Sequence, residues 1–178
     1  AAKVASRLEG SVSNVPKDGE VTAVKQALTE ADLATQEILL TALAANFPSV
    51  RLEAEEDTPT AAMFPQESDD LVIIDPIDGT LHSYLSRKGP YGIMIGLAHC
   101  GIYRAGLVAL PREGLFFDAA STEGASRTRM GGMPRSVRSS ANASQILVSH
   151  GTPTEVVRVL EEAGYPVRFG CGGAVSVA

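Results

Sequence analysis

The segment Asp75-Pro76-Ile77-Asp78-Gly79-Thr80 follows directly on the apolar run Leu71-Val72-Ile73-Ile74. Two carboxylates three residues apart, delivered to one spot at the end of a strand, suit a hard divalent cation, which takes oxygen ligands at short, fixed distances. Asp75 and Asp78 supply those carboxylates, and Ile77 adds its backbone carbonyl if the bend at Pro76 turns it inward. Gly79 lets the backbone approach a ligand closely. Thr80 opens a short helical stretch, with Leu81, Tyr84 and Leu85 at helical spacing. The amides of Gly79 and Thr80 then stand at a positive helix end, where an anion such as phosphate is favoured. An Asp-Gly pair after a strand is otherwise a common turn signal. Two acidic positions upstream weigh against that plainer reading.

Those positions are Asp32 and Glu55. If the strand ending at Glu55 neighbours the strand ending at Asp75, both carboxylates reach one edge of a sheet. Several uncompensated carboxylates there repel one another and raise their pKa values; divalent cations remove that penalty. Each position also has a plainer role. Asp32 follows Thr29 at the spacing of a capping box. Glu55 and Glu56 lie between Glu53 and Asp57 and read as a solvated acidic strand end.

The elements that must carry these residues follow from the pattern. A helix piece over 1–9 is cut off at Gly10, and a polar linker runs through Asn14, Pro16, Lys17, Asp18 and Gly19. From Thr29 to Phe47, Leu33, Leu40, Leu43 and Phe47 recur at helical intervals, and Pro48 ends the helix. Val50, Leu52 and Ala54 alternate with charged residues, which predicts a half-buried strand. Residues 57–69 read as an acidic loop. Tyr91 to Cys100 and Ile102 to Leu110 predict a hairpin turning at Gly101, and Gly114 to Asp118 a further strand. Arg127, Arg129, Arg135 and Arg138 would either attract an anionic substrate or blunt an exposed edge hairpin, the latter being favoured. From Ile146 the order is strand, helix, strand. Thr152-Pro153-Thr154-Glu155 predicts the helix start through a Thr152 cap and a capping box, Gly164 its end, and Pro166 to Phe169 the second strand. That order predicts parallel pairing.

At 178 residues with 44% apolar content, the chain suits one domain or one and a half. A net charge of −6 disfavours nucleic acid as a general partner. Two distant cysteines, Cys100 and Cys171, make no disulfide framework and fit a reducing cytosol. No apolar run approaches the ~20 residues of a membrane span, so no membrane is expected, and the cytoplasm is the expected compartment.

Thr29-Glu30-Ala31-Asp32, Glu55-Glu56 and Asp75 to Thr80 together resemble the inositol monophosphatase family, part of the lithium-sensitive, magnesium-dependent phosphatase superfamily. Its pattern is Thr-x-x-Asp, then Glu-Glu, then Asp-Pro-Ile/Leu-Asp-Gly-Thr/Ser. The stretch from Pro90 to Pro111 resembles the family's strand pair after the motif, and Arg168 to Ala178 its glycine- and alanine-rich helix start. The resemblance implies a mixed α+β and α/β fold, a layered αβαβα sandwich. It places an antiparallel-sheet domain over 1–141 and an incomplete C-terminal α/β domain over 142–178. It implies that Glu55, Asp75 and the Ile77 carbonyl hold one Mg²⁺, and that Asp75 bridges to a second shared with Asp78. Two or three ions are implied in all, with Mn²⁺ as a substitute and Li⁺ as an inhibitor. Thr80 paired with Asp32, and Glu55, would position or deprotonate the attacking water. Asp78 and the amides of Gly79 and Thr80 would bind the substrate's phosphate. A small phosphorylated substrate and a homodimer are the implied partners.

The family draws a further aspartate from a Trp-Asp motif late in the chain. This sequence has no tryptophan and no aspartate after Asp118, and Gly172-Gly173 stands where the family carries Ser/Thr-Ala. The expectation is an incomplete chain lacking one metal ligand and the groups that choose the substrate. The expected activity is a Mg²⁺-dependent phosphomonoesterase that hydrolyses a small metabolite such as inositol monophosphate by metal-activated water. A 3′(2′),5′-bisphosphate nucleotidase or sugar phosphatase is the second reading, and a non-catalytic metal- or phosphate-binding module the third.

Overall fold

The fold is built around a long strand that is interrupted by a proline. The computed structural model describes residues 1–15, 28–137, 145–149 and 152–170. Strands β1 (Arg51–Ala54), β2 (Asp70–Asp78), β3 (Gly92–His99), β4 (Ile102–Leu110), β5 (Leu115–Ala120), β6 (Gly124–Arg129) and β7 (Arg135–Val137) form a seven-stranded sheet in that spatial order. All neighbours are antiparallel except β1 and β2, which run parallel. The sheet is therefore mixed rather than purely antiparallel. The chain crosses from β1 to β2 through residues 55–69, which hold a short 3₁₀ turn at Ala61–Met63, and so re-enters the sheet in the same direction.

β2 runs through the Asp75–Asp78 segment instead of ending before it. Its register against β3 slips there: Asp75 faces Met94 while Asp78 faces Gly92. One extra residue on β2 makes this a bulge, as expected where Pro76 has no N–H to give to the ladder. The β3–β4 hairpin turns at Cys100 and Gly101, both at positive φ (50° and 74°). That conformation fits a two-residue type I′ connection, in which glycine is unstrained.

Helices α1 (Ala2–Leu8) and α2 (Glu30–Asn46) pack on the β1–β3 end of the sheet. One core cluster joins Ala5, Ala31, Ile77, Tyr84, Tyr91, Ile93 and Ala109. A second joins Leu40, Val50, Phe64, Val72 and Ile74. Leu40 is fully buried. Leu40→Ala is expected to cost about 2–5 kcal/mol, through lost transfer energy and the cavity left behind. Urea unfolding at constant m-value checks this; a cost below about 1 kcal/mol would show that the α2–β2 packing is misplaced.

A separate two-stranded parallel sheet pairs β8 (Ile146–Val148) with β9 (Val167–Phe169) across helix α3 (Thr154–Glu162). The parallel order is as the sequence predicts, and Gly164 ends the helix at φ 87°. The predicted Thr152 capping box does not form. The cap position falls on Pro153, whose carbonyl accepts from Val157 N–H, without a side-chain capping bond. The Thr152 hydroxyl pairs instead with that of Ser149 at 3.3 Å. Arg127, Arg129 and Arg135 are exposed on the β6–β7 edge hairpin, at the opposite end of the sheet from β1 and β2. The linker beyond Val15, Arg138, the domain boundary at 141/142, Cys171 and Gly172-Gly173 lie outside the described residues. No described helix is long and apolar enough to cross a membrane.

Candidate active site

The parallel pairing of β1 and β2 is what gathers the acidic residues. Ala54 stands opposite Ile74, so Glu55 and Asp75, one step further along each strand, emerge side by side at one sheet edge. The Glu55 N–H bonds the Ile74 carbonyl at 3.2 Å and extends that edge by one residue. Asp78 follows after the bulge. Gly79, at φ 90°, turns the chain into a six-residue helical segment of wide, π-type pitch, Thr80–Leu85. The Gly79 carbonyl accepts from both Ser83 N–H (2.9 Å) and Tyr84 N–H (3.1 Å).

The N-terminus of α2 lies against this turn. Thr29 caps the helix, and its N–H and hydroxyl both donate to Asp32 Oδ2, at 2.8 and 2.5 Å. The other oxygen, Asp32 Oδ1, accepts from the Thr80 hydroxyl at 3.1 Å. Capping and pairing with Thr80, alternatives in the sequence, are therefore both met, one by each oxygen. The Thr80 hydroxyl also lies 2.7 Å from the Ile77 carbonyl. Its single proton is thus shared between Asp32 and Ile77. Asp32 is fully buried, Thr80 is buried, Asp75 and Asp78 are half-buried, and Glu55 is exposed at the mouth.

Burial is the main force raising the Asp75 carboxyl, which is pushed up to about 8; the charges of Glu55, Asp78 and Asp32 and a hydrogen bond shared with Glu55 add to it. Burial also raises Asp32, against the lowering effect of its bonds from Thr29 and Thr80. Glu55, Asp78 and Asp32 therefore all lie within electrostatic reach of Asp75, and Glu55 within that of Asp32. Asp75 Oδ1 is buried and has no hydrogen-bond partner. Such an atom is costly unless something engages it. Among the described residues, however, no three His, Cys, Asp or Glu side chains stand close enough together to hold a metal ion. The donors are all oxygen and include one buried, unpartnered carboxylate oxygen, the chemistry that a hard divalent cation takes.

Two residues beside this site have no role in the sequence pattern, which places Tyr84 only at helical spacing. Gln36, fully buried one helical turn after Asp32, donates from Nε2 to the Glu56 carbonyl at 2.6 Å and accepts from the Glu56 N–H at 3.1 Å. Tyr84, also fully buried, donates its hydroxyl to the Ala5 carbonyl at 2.7 Å and meets the Tyr91 ring edge-on at 4.8 Å. The Asp32-to-Gln36 spacing could have flagged Gln36; nothing local could have flagged Tyr84. A cavity of about 530 Å³, lined by Arg51, Gln66, Glu67, Ser68 and Asp69, lies at the opposite, N-terminal ends of β1 and β2. It takes no part in the carboxylate cluster.

The architecture is that of solved phosphatase structures. It matches a staphylococcal inositol monophosphatase complexed with products at TM-score 0.70 and 23% identity, over 97% of this chain and 62% of that one. It matches the inositol monophosphatase of Thermotoga maritima at TM-score 0.71 and 24% identity, over 97% and 64%. At such identities the likeness defines the fold alone. The model of the inositol monophosphatase family matches residues 1–165, and the chain belongs to that family. Among curated proteins, the histidinol-phosphatase of Chlorobaculum parvum is 34% identical over 98 residues. That match covers 55% of this chain and 36% of that protein, so the chain spans about a third of this relative's length and just over three fifths of the solved ones.

Proposed function

We propose that this chain carries the cation- and phosphate-binding part of a Mg²⁺-dependent phosphomonoesterase acting on a small phosphorylated metabolite. One observation supports it above the rest: Asp75 sits in the field of Glu55, Asp78 and Asp32 with a buried oxygen that no protein group engages. Glu55, Asp75, Asp78 and the Ile77 carbonyl would hold the cations. Bound there, Mg²⁺ would offset the phosphate's charge and make a water molecule more acidic. A structural neighbour, an IMPase/NADP phosphatase, is complexed with Mg²⁺ and phosphate.

The chain's own residues have separable tasks. With its proton shared between Asp32 and the Ile77 carbonyl, the Thr80 hydroxyl has lone pairs left to accept a hydrogen bond from a water, which would orient that water. Glu55, the exposed carboxylate at the mouth, would take the water's proton directly as general base. The Gly79 and Thr80 amides, at the start of the helical turn, would bind phosphate oxygens. Phosphoryl transfer leaves the protein mainly positioning and charge neutralisation, which is what a rigid, buried anchor and an open mouth provide. The reading includes the domain division near residue 142, two or three ions, a homodimer and the cytoplasm as compartment.

The histidinol-phosphatase relative favours histidinol phosphate as a second substrate beside inositol monophosphate. Phosphate release by the full-length protein from inositol 1-phosphate, histidinol phosphate and a 3′-phosphoadenosine nucleotide, with Mg²⁺ and with EDTA, tests both. Release from at least one ester, lost in EDTA, is the expected result. No release from any of them with the protein folded and saturated with Mg²⁺ would leave the non-catalytic binding module as the better reading.

A further inference from the structure

Glu55 lies on no regular element. It is the first residue after β1, and one N–H bond to the Ile74 carbonyl ties it to β2. The next residue, Glu56, is held far more firmly. Both its backbone N–H and its carbonyl are bonded by the single amide of Gln36, at 3.1 and 2.6 Å, in fully buried surroundings. The peptide that carries Glu55 is therefore pinned on one side to the sheet and on the other to α2. Gln36 sits one turn after Asp32, and residues four apart lie on the same face of a helix. A single face of α2 thus sets both arms of the site: Asp32 holds Thr80 directly, and Gln36 holds the strand end that presents Glu55.

We propose that Gln36 is a positioning residue for the cation site, fixing the Glu55 carboxylate beside Asp75 through its paired hydrogen bonds to the Glu56 backbone. The proposal rests on the cation-binding reading above. A purely structural Gln36 would also satisfy two buried backbone groups, and its loss would also lower stability. The roles differ in what happens to the protein that remains folded. A structural residue leaves the ligands where they were, whereas a positioning residue lets Glu55 drift, and outer groups that orient ligands typically account for about 10–100-fold in metal affinity.

The test is calorimetric titration of Mn²⁺ into the full-length protein, well below its unfolding temperature. Wild type is compared with Gln36→Met, which keeps length but no hydrogen bond, and with Leu43→Ala, a half-buried core change on the same helix. Wild type is expected to bind, Gln36→Met to raise Kd at least about 10-fold, and Leu43→Ala to stay within about twofold. A folded Gln36→Met with wild-type Kd overturns the proposal, as does an equal loss in Leu43→Ala. Should Gln36→Met not fold, Gln36→Asn, which keeps the amide but is one methylene short, decides by the same criterion. Wild type that binds no Mn²⁺ overturns the cation reading itself and this proposal with it.

Discussion

Asp75→Asn is expected to lower Mg²⁺-dependent phosphate release by more than about 100-fold, because residues that merely orient ligands already account for about 10–100-fold. The same variant is expected to make the cation-free protein more stable. Asp75 titrates at about 8 in the fold and near 3.9 in an unfolded chain. Below pH 4 both states hold the proton and the group has no effect on stability. As pH rises, the unfolded chain releases its proton first, so stability falls between about pH 4 and 8 and then levels off. Asparagine keeps the shape and removes this loss. Discounted for partial exposure and shared protons, the gain at pH 8 is on the order of 2 kcal/mol. Thermal unfolding in EDTA should show wild type and variant converging at pH 4 and separating towards pH 8. Parallel curves across that range would mean that Asp75 is not a suppressed carboxylate, and near-normal turnover would remove it from the site.

That opposition between stability and activity explains why the motif was easy to read and its support was not. Asp75 to Thr80 stands out because two carboxylates and a glycine make a poor strand end for any reason but a ligand. The path of β2 through it was hidden, since a bulge at Pro76 depends on the partner strand β3. The parallel pairing of β1 was equally silent, because alternation in Leu52 and Ala54 reports a half-buried strand but not its neighbour. Helix α2 is the sharpest case. Its leucine spacing gave the right element and Leu40 is buried as that spacing implies, yet the stripe ends at an exposed Phe47 and the buried face also holds polar residues. Phe47 is 58% exposed while Asp32, Thr35 and Gln36 are fully buried. Periodicity arguments assume that the inward face is apolar. Here the part of the inward face that abuts the site is polar: Asp32 is bonded by Thr29 and Thr80 and Gln36 by the Glu56 backbone, while the buried Thr35 hydroxyl has no partner.

Thr80→Ala is expected to divide turnover from cation affinity. The hydroxyl is 3.1 Å from Asp32 Oδ1 and 2.7 Å from the Ile77 carbonyl, and it contributes no charge to the carboxylate cluster. Its loss should lower kcat by about 100-fold, the lower end for a group that assists proton transfer, while the Mg²⁺ concentration for half-maximal rate moves by less than about threefold. Thr80→Ser keeps the hydroxyl and should recover most of the rate, short of the packing lost with the methyl. Asp32→Asn probes the same bond from the other side. An amide presented to Thr80 no longer fixes the hydroxyl proton, and an amide presented to Thr29 also weakens the cap, by about 1 kcal/mol. If Asp32 acts only through Thr80, the double variant should be no slower than the worse single one, as expected for groups that work as a unit. Multiplicative losses would give Asp32 a task of its own. A matching rise in the Mg²⁺ requirement of Thr80→Ala would make the hydroxyl part of the cation site, and the handling of the attacking water would pass to Glu55 alone.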